Sequence, residues 1–150
     1  EKTVEAFRDL WYHTGDLGRQ DADGYFFFVD RKKDAIRRRG ENISSFELEQ
    51  ALQEYPGIAE AAVIAVDSEL SEDDVKACFT LVPDAGFDPA EFFAWAADNI
   101  PRFMIPRYVE VLDQLPRTPT QRVEKYRLRA DARTARTWDA QRGAYLEESQ

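Results

Sequence analysis

The order in which two hydrophobic periodicities follow one another between residues 35 and 112 restricts the fold more than any other feature of the sequence. Residues 35–39 read as a short strand, and Gly40-Glu-Asn-Ile-Ser as a turn into a helix. Ser44 offers an N-cap oxygen, with Glu47 three residues on as its capping-box partner. Leu48, Ala51, Leu52 and Tyr55 then recur at helical spacing until Pro56-Gly57 stops the run. Residues 61–66 and 75–82 are strand-like and joined by an acidic loop, and in the second of them Val75, Ala77, Phe79 and Leu81 share one face. Asp88-Pro89 opens another helix, with Phe92, Phe93 and Trp95, because Asp suits the cap and Pro the first helical position. Residues 108–112 form a further strand. Strand, helix, strand, strand, helix, strand is a split βαβ order. The expected class is therefore α+β: a small antiparallel sheet with flanking helices in ferredoxin-like order, the two helices covering one face.

Ahead of this unit, DLGRQDADGYFFFVD reads as a β-hairpin, with Asp21-Ala-Asp-Gly24 as its turn. The seam between the two falls in Asp30-Arg-Lys-Lys-Asp34. From Glu124 onward the chain reads as helical and polar. Residues 1–9 read as an amphipathic turn arriving from upstream structure, so residue 1 is expected to lie inside a longer polypeptide. The expected division is 1–32 as the end of a preceding large domain, 33–130 as a second domain, and 131–150 as a polar helical tail.

Composition bounds the function. A chain of 150 residues, 43% of them hydrophobic, can bury one ordinary core without metal or disulfide support. A formal charge of −9 argues against general binding to nucleic acid or anionic membrane, both of which draw on an excess of Lys and Arg. Cys78 is the sole cysteine, so no internal disulfide can form, and a reducing, cytoplasmic setting fits best. No run is long and apolar enough to be a transmembrane segment.

Three motifs could carry chemistry. In Tyr12-His-Thr-Gly-Asp-Leu17, a carboxylate follows a glycine at the start of the hairpin, and its two oxygens match the vicinal hydroxyls of a ribose. Taken alone, Gly-Asp before a strand is more often only a turn. Residues 31–39 hold six basic side chains, Arg31, Lys32, Lys33, Arg37, Arg38 and Arg39, in an otherwise acidic chain. Such runs are usually a solvated face or a phosphate contact surface. On a strand, Arg37 and Arg39 project from one face and Arg38 from the other, while Gly40 permits a positive φ or a close approach by a ligand. The third motif, Leu115-Pro-Arg-Thr-Pro-Thr-Gln-Arg-Val-Glu-Lys-Tyr126, is a polar loop able to bring a cation to a carboxylate or phosphate. An ordinary surface connection would look the same.

In this order and at these spacings, the three motifs resemble the C-terminal signatures of the adenylate-forming (AMP-binding) superfamily, of acyl-CoA synthetase type. The likeness covers nearly the whole chain. LPRTPT, VEKYRLR and Thr137-Trp-Asp139 are similar to bacterial ligases of the carnitine/crotonobetaine type. The resemblance implies an ATP-dependent, AMP-forming ligase. A small-molecule carboxylate and ATP give an acyl-adenylate and pyrophosphate, and coenzyme A then takes the acyl group and releases AMP. Magnesium would enter only with ATP, with no protein metal site. Asp16 is implied to bind the ribose hydroxyls, and Arg31 the same ribose or a phosphate. Lys33 stands at the hinge, Gly40 along the pantetheine tunnel, and Arg37 and Arg39 near coenzyme A.

The family's catalytic lysine lies in a Thr-Gly-Lys-Val loop, and here the loop reads Thr120-Gln-Arg-Val123. Arg122 stands at the lysine position and Gln121 at the glycine. His13 departs too, where many relatives carry Arg. Three readings stay open: Arg122 acts, Lys125 swings in, or adenylation is impaired. Arg122 is favoured because a guanidinium can bind both carboxylate and phosphate, although it is no equivalent of an ammonium point charge. The missing N-terminal domain of the same polypeptide is the implied partner, and a piece lacking it is expected to be inactive alone.

A carrier-protein pantetheine is the alternative acceptor. From a different class, an RNA-recognition module shares the ferredoxin-like order, and Gly24-Tyr-Phe-Phe-Phe-Val29 imitates its aromatic strand. That strand precedes the first helix here instead of lying between the two, and the charge has the wrong sign.

Overall fold

Asp21 shapes the first turn. Its carboxylate accepts the N–H groups of Asp23 (3.0 Å) and Tyr25 (2.9 Å), which folds β1 (Asp16–Gln20) back on β2 (Phe26–Arg31) as an antiparallel hairpin. The structure, a computed structural model, describes residue 9 and residues 11–68 and 72–147. The amphipathic turn expected over residues 1–9 therefore lies, except for residue 9, outside the described residues.

A second, shorter hairpin follows. β3 (Ile36–Arg38) and β4 (Glu41–Ile43) pair antiparallel through a two-residue connection. Arg39 at φ 53° and Gly40 at φ 80° supply the two positive φ values of a type I′ turn. Residues 41–43, expected as part of a turn, are thus free to pair as a strand. Helix α1 (Ser45–Leu52) begins as the sequence indicates, with the Ser44 hydroxyl accepting Glu47 N–H at 3.2 Å. It closes earlier than its apolar spacing suggests. The N–H groups of Glu54 and Tyr55 turn back to the carbonyls three residues before them, a tightened last turn. Tyr55 still packs edge-on against Phe92 and Trp95, at 5.4 and 5.2 Å between ring centroids.

β5 (Ile58–Asp67) and β6 (Asp73–Leu81) form the long antiparallel pair of the main sheet. Asp88 accepts Ala90 N–H at 2.7 Å to start α2 (Pro89–Asn99), and the chain returns as β7 (Tyr108–Val111), parallel to β6. The α+β class stands, with two refinements. The helix crosses between neighbouring strands, so the sheet contains one parallel pair, and the strand before α1 belongs to its own small hairpin. A short α3 (Lys125–Ala130) follows. The expected polar helical tail over 131–150 requires correction. β8 (Trp138–Asp139) and β9 (Ala144–Tyr145) extend the sheet in the order β5-β6-β7-β8-β9. The open backbone of β7 takes a partner, and Arg107 grips Asp139 through two bonds of 3.2 and 3.1 Å.

Both faces of the sheet are covered. Val63, Val75, Ala77, Phe79 and Val109 pack under α1 and α2 with Leu48, Leu52, Phe92 and Ala96. On the other face, Ala62, Ile64, Val66, Cys78 and Tyr108 meet Leu115 and Leu128. That second face also holds a buried ion pair. Lys76, fully buried, places Nζ 2.5 Å from Glu110 Oε2 and donates to the Ala132 carbonyl (2.9 Å) and the Thr137 hydroxyl (3.2 Å). Thr134 and Thr137 donate to Glu110 at 2.8 and 3.1 Å.

Cys78 lies beside this pair. Burial pushes its thiol up to about 12, with Lys76 opposing the shift and Glu110 adding to it. A thiol held protonated and buried is inert. Maleimide labelling at neutral pH, followed by mass spectrometry, should therefore be at least about a hundredfold slower in the native chain than in denaturant. Labelling at the rate of an exposed cysteine would contradict this placement.

Candidate functional site

The first hairpin sets a carboxylate against a guanidinium. Asp16 and Arg31 face each other across β1 and β2, with Arg31 Nε 3.0 Å from Asp16 Oδ1, and both side chains are partly open to solvent. Thr14 accepts the Asp16 N–H at 3.1 Å, and the Gly15 carbonyl accepts Lys32 N–H at 2.8 Å, which fixes the entry to the strand. An acceptor and a donor side by side can hold hydroxyls and an adjacent phosphate.

Lys33 follows β2 in a turn in which Asp34 and Ala35 both donate to the Arg31 carbonyl. Arg129 reaches Asp34 Oδ1 at 2.5 Å and the Lys33 carbonyl at 3.4 Å. Before this turn sits a residue that sequence reasoning missed. Asp30 is buried, with Oδ2 accepting Ser45 N–H at 2.6 Å and Oδ1 accepting the Ser45 hydroxyl (3.2 Å) and Arg31 N–H (2.7 Å). Ser44 donates to the Val29 carbonyl at 2.8 Å. The only signal for this was an aspartate before a basic run, which the surrounding cations obscured.

A cleft of about 450 Å³ gathers Arg31, Lys33, Arg122 and Lys125. Arg122 is presented by a short loop closed by the Arg117 to Val123 bridge, with Arg122 N–H donating to the Thr118 hydroxyl (3.1 Å) and its carbonyl accepting Thr118 N–H (2.9 Å). Gln121 adopts φ 65°, a left-handed conformation that glycine takes without strain. Arg122 is exposed, and no ion pair holds its side chain among the described residues. Lys125 differs. Its Nζ lies 2.7 Å from Glu49 Oε1 and donates to the Ser45 hydroxyl at 2.8 Å. Burial raises the Glu49 carboxyl above its ordinary value, against the charge and hydrogen bond of Lys125 and the N–H of Val63. Moving Lys125 away would leave that partly buried carboxylate without its cation, with only the Val63 N–H to hold it.

Arg37, Arg39 and Gly40 lie outside this cleft, on the β3–β4 hairpin. Arg37 and Arg39 are exposed, while Arg38 turns inward, donating to the Ile105 carbonyl at 2.6 Å with its Nε 3.5 Å from Asp74. Burial lowers the Arg38 guanidinium pKa, and Asp74 opposes the shift. A Cβ added to Gly40 would meet nothing within 4 Å, so its φ of 80° is the local requirement for glycine.

Among solved structures, the chain is similar to ATP-bound MatB from Rhodopseudomonas palustris, at 34% identity and a TM-score of 0.77, over 87% of this chain and 26% of that one. It is also similar to o-succinylbenzoate CoA synthetase (MenE) from Bacillus subtilis in complex with the acyl-adenylate intermediate OSB-AMP, at 30% identity and a TM-score of 0.75, covering 90% of this chain and 27% of that one. Crotonobetaine/carnitine–CoA ligase from Salmonella typhimurium is 37% identical over 130 residues, which are 86% of this chain and 25% of the relative. The chain thus spans about a quarter of the length of the curated relatives it matches. The AMP-binding enzyme C-terminal domain family matches residues 47–122, from α1 through the loop that bears Arg122. With its fold and its sequence in agreement, the chain belongs to the AMP-binding enzyme C-terminal domain family.

Proposed function

We propose that this chain is the C-terminal portion of an ATP-dependent, AMP-forming acid–thiol ligase that activates a small-molecule carboxylate and transfers it to coenzyme A. The observation that carries the reading is the convergence of Arg31, Lys33, Arg122 and Lys125 on one cleft, in a chain of this family. In the first half-reaction, the substrate carboxylate attacks the α-phosphorus of ATP and pyrophosphate leaves. Asp16 holds the ribose hydroxyls, Arg31 the same ribose or a phosphate, and Arg122 the attacking carboxylate and the phosphate together. Magnesium comes with ATP as its complex. In the second, the thiol attacks the acyl carbon and AMP leaves, with Gly40, Arg37 and Arg39 on the face that meets coenzyme A.

Lys125 serves α3 and the cleft wall in this reading, since Glu49 and Ser45 hold it. Residues 1–32 complete a preceding domain, and residues 33–130 turn about Lys33. The exposure of Tyr25 (70%), Phe26 (80%), Phe27 and Phe28 along the first hairpin supports an upstream partner of the same polypeptide that covers them. A reducing cytoplasm suits an enzyme whose one cysteine is buried and unpaired. No helix among the described residues is long and apolar enough to cross a membrane.

The test is to assay the two half-reactions separately in the full-length protein: pyrophosphate release from ATP with a panel of carboxylates, and thioester formation from the acyl-adenylate with coenzyme A. Absence of both would sink the reading. Thioester formation on a carrier protein but not on coenzyme A would move the acceptor. The Lys33→Pro variant, which fixes φ at the proposed pivot, should lose one half-reaction by roughly tenfold or more and retain the other.

A further inference from the structure

The β3–β4 hairpin carries Arg37, Arg39 and Gly40, yet it has only three residues per strand and no ladder to the five-stranded sheet. A two-stranded ribbon of that size does not hold its own shape in water. Ile36 and Ile43 anchor its base in the core. The tip is secured differently. Arg38 and Glu41 flank the two-residue turn and exchange hydrogen bonds, so the N–H of Arg37 faces away from β4. That donor goes to Asp73 Oδ2 at 3.1 Å, and the N–H of Arg39, at the strained turn position, goes to the Glu72 carboxylate. Asp74, the next residue, lies 3.5 Å from Arg38 Nε and binds Arg107 at 2.7 Å. Glu72, just before β6, and Asp73 and Asp74 at its start thus meet three consecutive arginines of the hairpin.

The chemistry of these contacts matters. Asp73 and Glu72 take backbone N–H groups, and the guanidinium groups of Arg37 and Arg39 are in no ion pair among the described residues. The backbone is fixed while the cationic side chains stay exposed for a ligand. We infer that Glu72 and Asp73 are positioning residues for thiol transfer, holding the Gly40 turn and its flanking arginines at the angle the thiol substrate requires. This rests on the ligase reading above and adds residues outside the cleft to it.

The experiment uses the full-length enzyme with two double variants, Glu72→Ala with Asp73→Ala, and Glu72→Gln with Asp73→Asn. The amide pair keeps a carbonyl oxygen to accept each N–H. The alanine pair should raise amide hydrogen exchange across residues 36–43. It should also raise the KM for coenzyme A by about tenfold or more, a loss of the size expected from a misplaced element, with pyrophosphate release from ATP within about twofold. The amide pair should restore both readouts most of the way. Unchanged exchange or unchanged KM in the alanine pair, equal loss of both half-reactions, or no rescue by the amide pair would overturn the assignment. A wild-type enzyme that forms no thioester would instead overturn the ligase reading, and exchange in the alanine pair would still decide whether the carboxylates hold the hairpin.

Discussion

Replacing Arg122 with alanine in the full-length protein should lower pyrophosphate release from ATP by roughly 10²–10³, the usual cost of removing one fixed electrostatic group from a transition state. Conversion of a preformed acyl-adenylate to thioester should stay within about threefold, because that step does not need a cation between carboxylate and phosphate. The expectation rests on contrast within one loop. Arg122 stands exposed on a tip closed by its own backbone bonds to Thr118, next to Gln121 in a left-handed conformation. Lys125, three residues later, is held by Glu49 and Ser45 and cannot reach out without abandoning a partly buried carboxylate. Arg122→Lys should retain more activity than Arg122→Ala while losing the bidentate geometry. Equal loss of the two half-reactions would sink this assignment. So would an intact pyrophosphate step in Arg122→Ala, which would pass the role to Lys125.

The second large effect concerns stability. Lys76→Ala should cost about 3–5 kcal/mol, because it takes from buried Glu110 its buried cation and leaves only the solvent-exposed Arg136, 3.5 Å away. For a chain of this size that is a fall of roughly 10 °C or more in Tm. The double change, Lys76→Ala with Glu110→Ala, should be less damaging than the sum of the two single changes, and a urea-melt double-mutant cycle measures the difference. Additive single effects would show that the pair is not coupled.

The pair also has a pH signature. Burial alone would raise the Glu110 carboxyl, but the hydrogen bond and charge of Lys76, with the hydroxyls of Thr134 and Thr137, outweigh it and hold it below the ordinary carboxylate range. Its folded value is depressed, so its contribution is complete above the unfolded carboxylate value. It is lost as pH falls through the folded one. Asp139 behaves in the same sense, its burial outweighed by Arg107 and by the N–H groups of Gln141 and Arg142. Urea melts taken from neutrality down through about pH 4 should show wild-type stability declining toward acid. The decline should be shallower for Lys76→Ala, whose Glu110 has lost the partner that depressed it.

Local chemistry made much of this fold readable. The Ser44 cap, the Asp88-Pro89 start, the Asp21 turn and the alternation of Val75, Ala77 and Phe79 each depend on neighbours within a few residues, and each appears in the structure. Lys76 was hidden by that same alternation. It occupies the opposite face of β6, which a single lysine makes look solvated, and only α3 and the tail reveal that the face is covered. Strands β8 and β9 are two residues each, too short to show any period. The candidate site was legible as a set of cations but not as a geometry. That Lys125 is fastened while Arg122 is not depends on Glu49, which lies far away in sequence and meets Lys125 only because α1 and α3 both pack on β5.

Asp30 and Val29 stand on one side of Lys33, with Ser44 and Ser45 on the other. Any turn of the backbone at Lys33 must pull the Asp30 carboxylate off both Ser45 donors. Halfway through, that buried carboxylate would keep only the Arg31 N–H of its three donors, and losing the other two carries a cost. At the pivot proposed for Lys33, that cost would act as a detent, so that intermediate angles would be passed through rather than occupied.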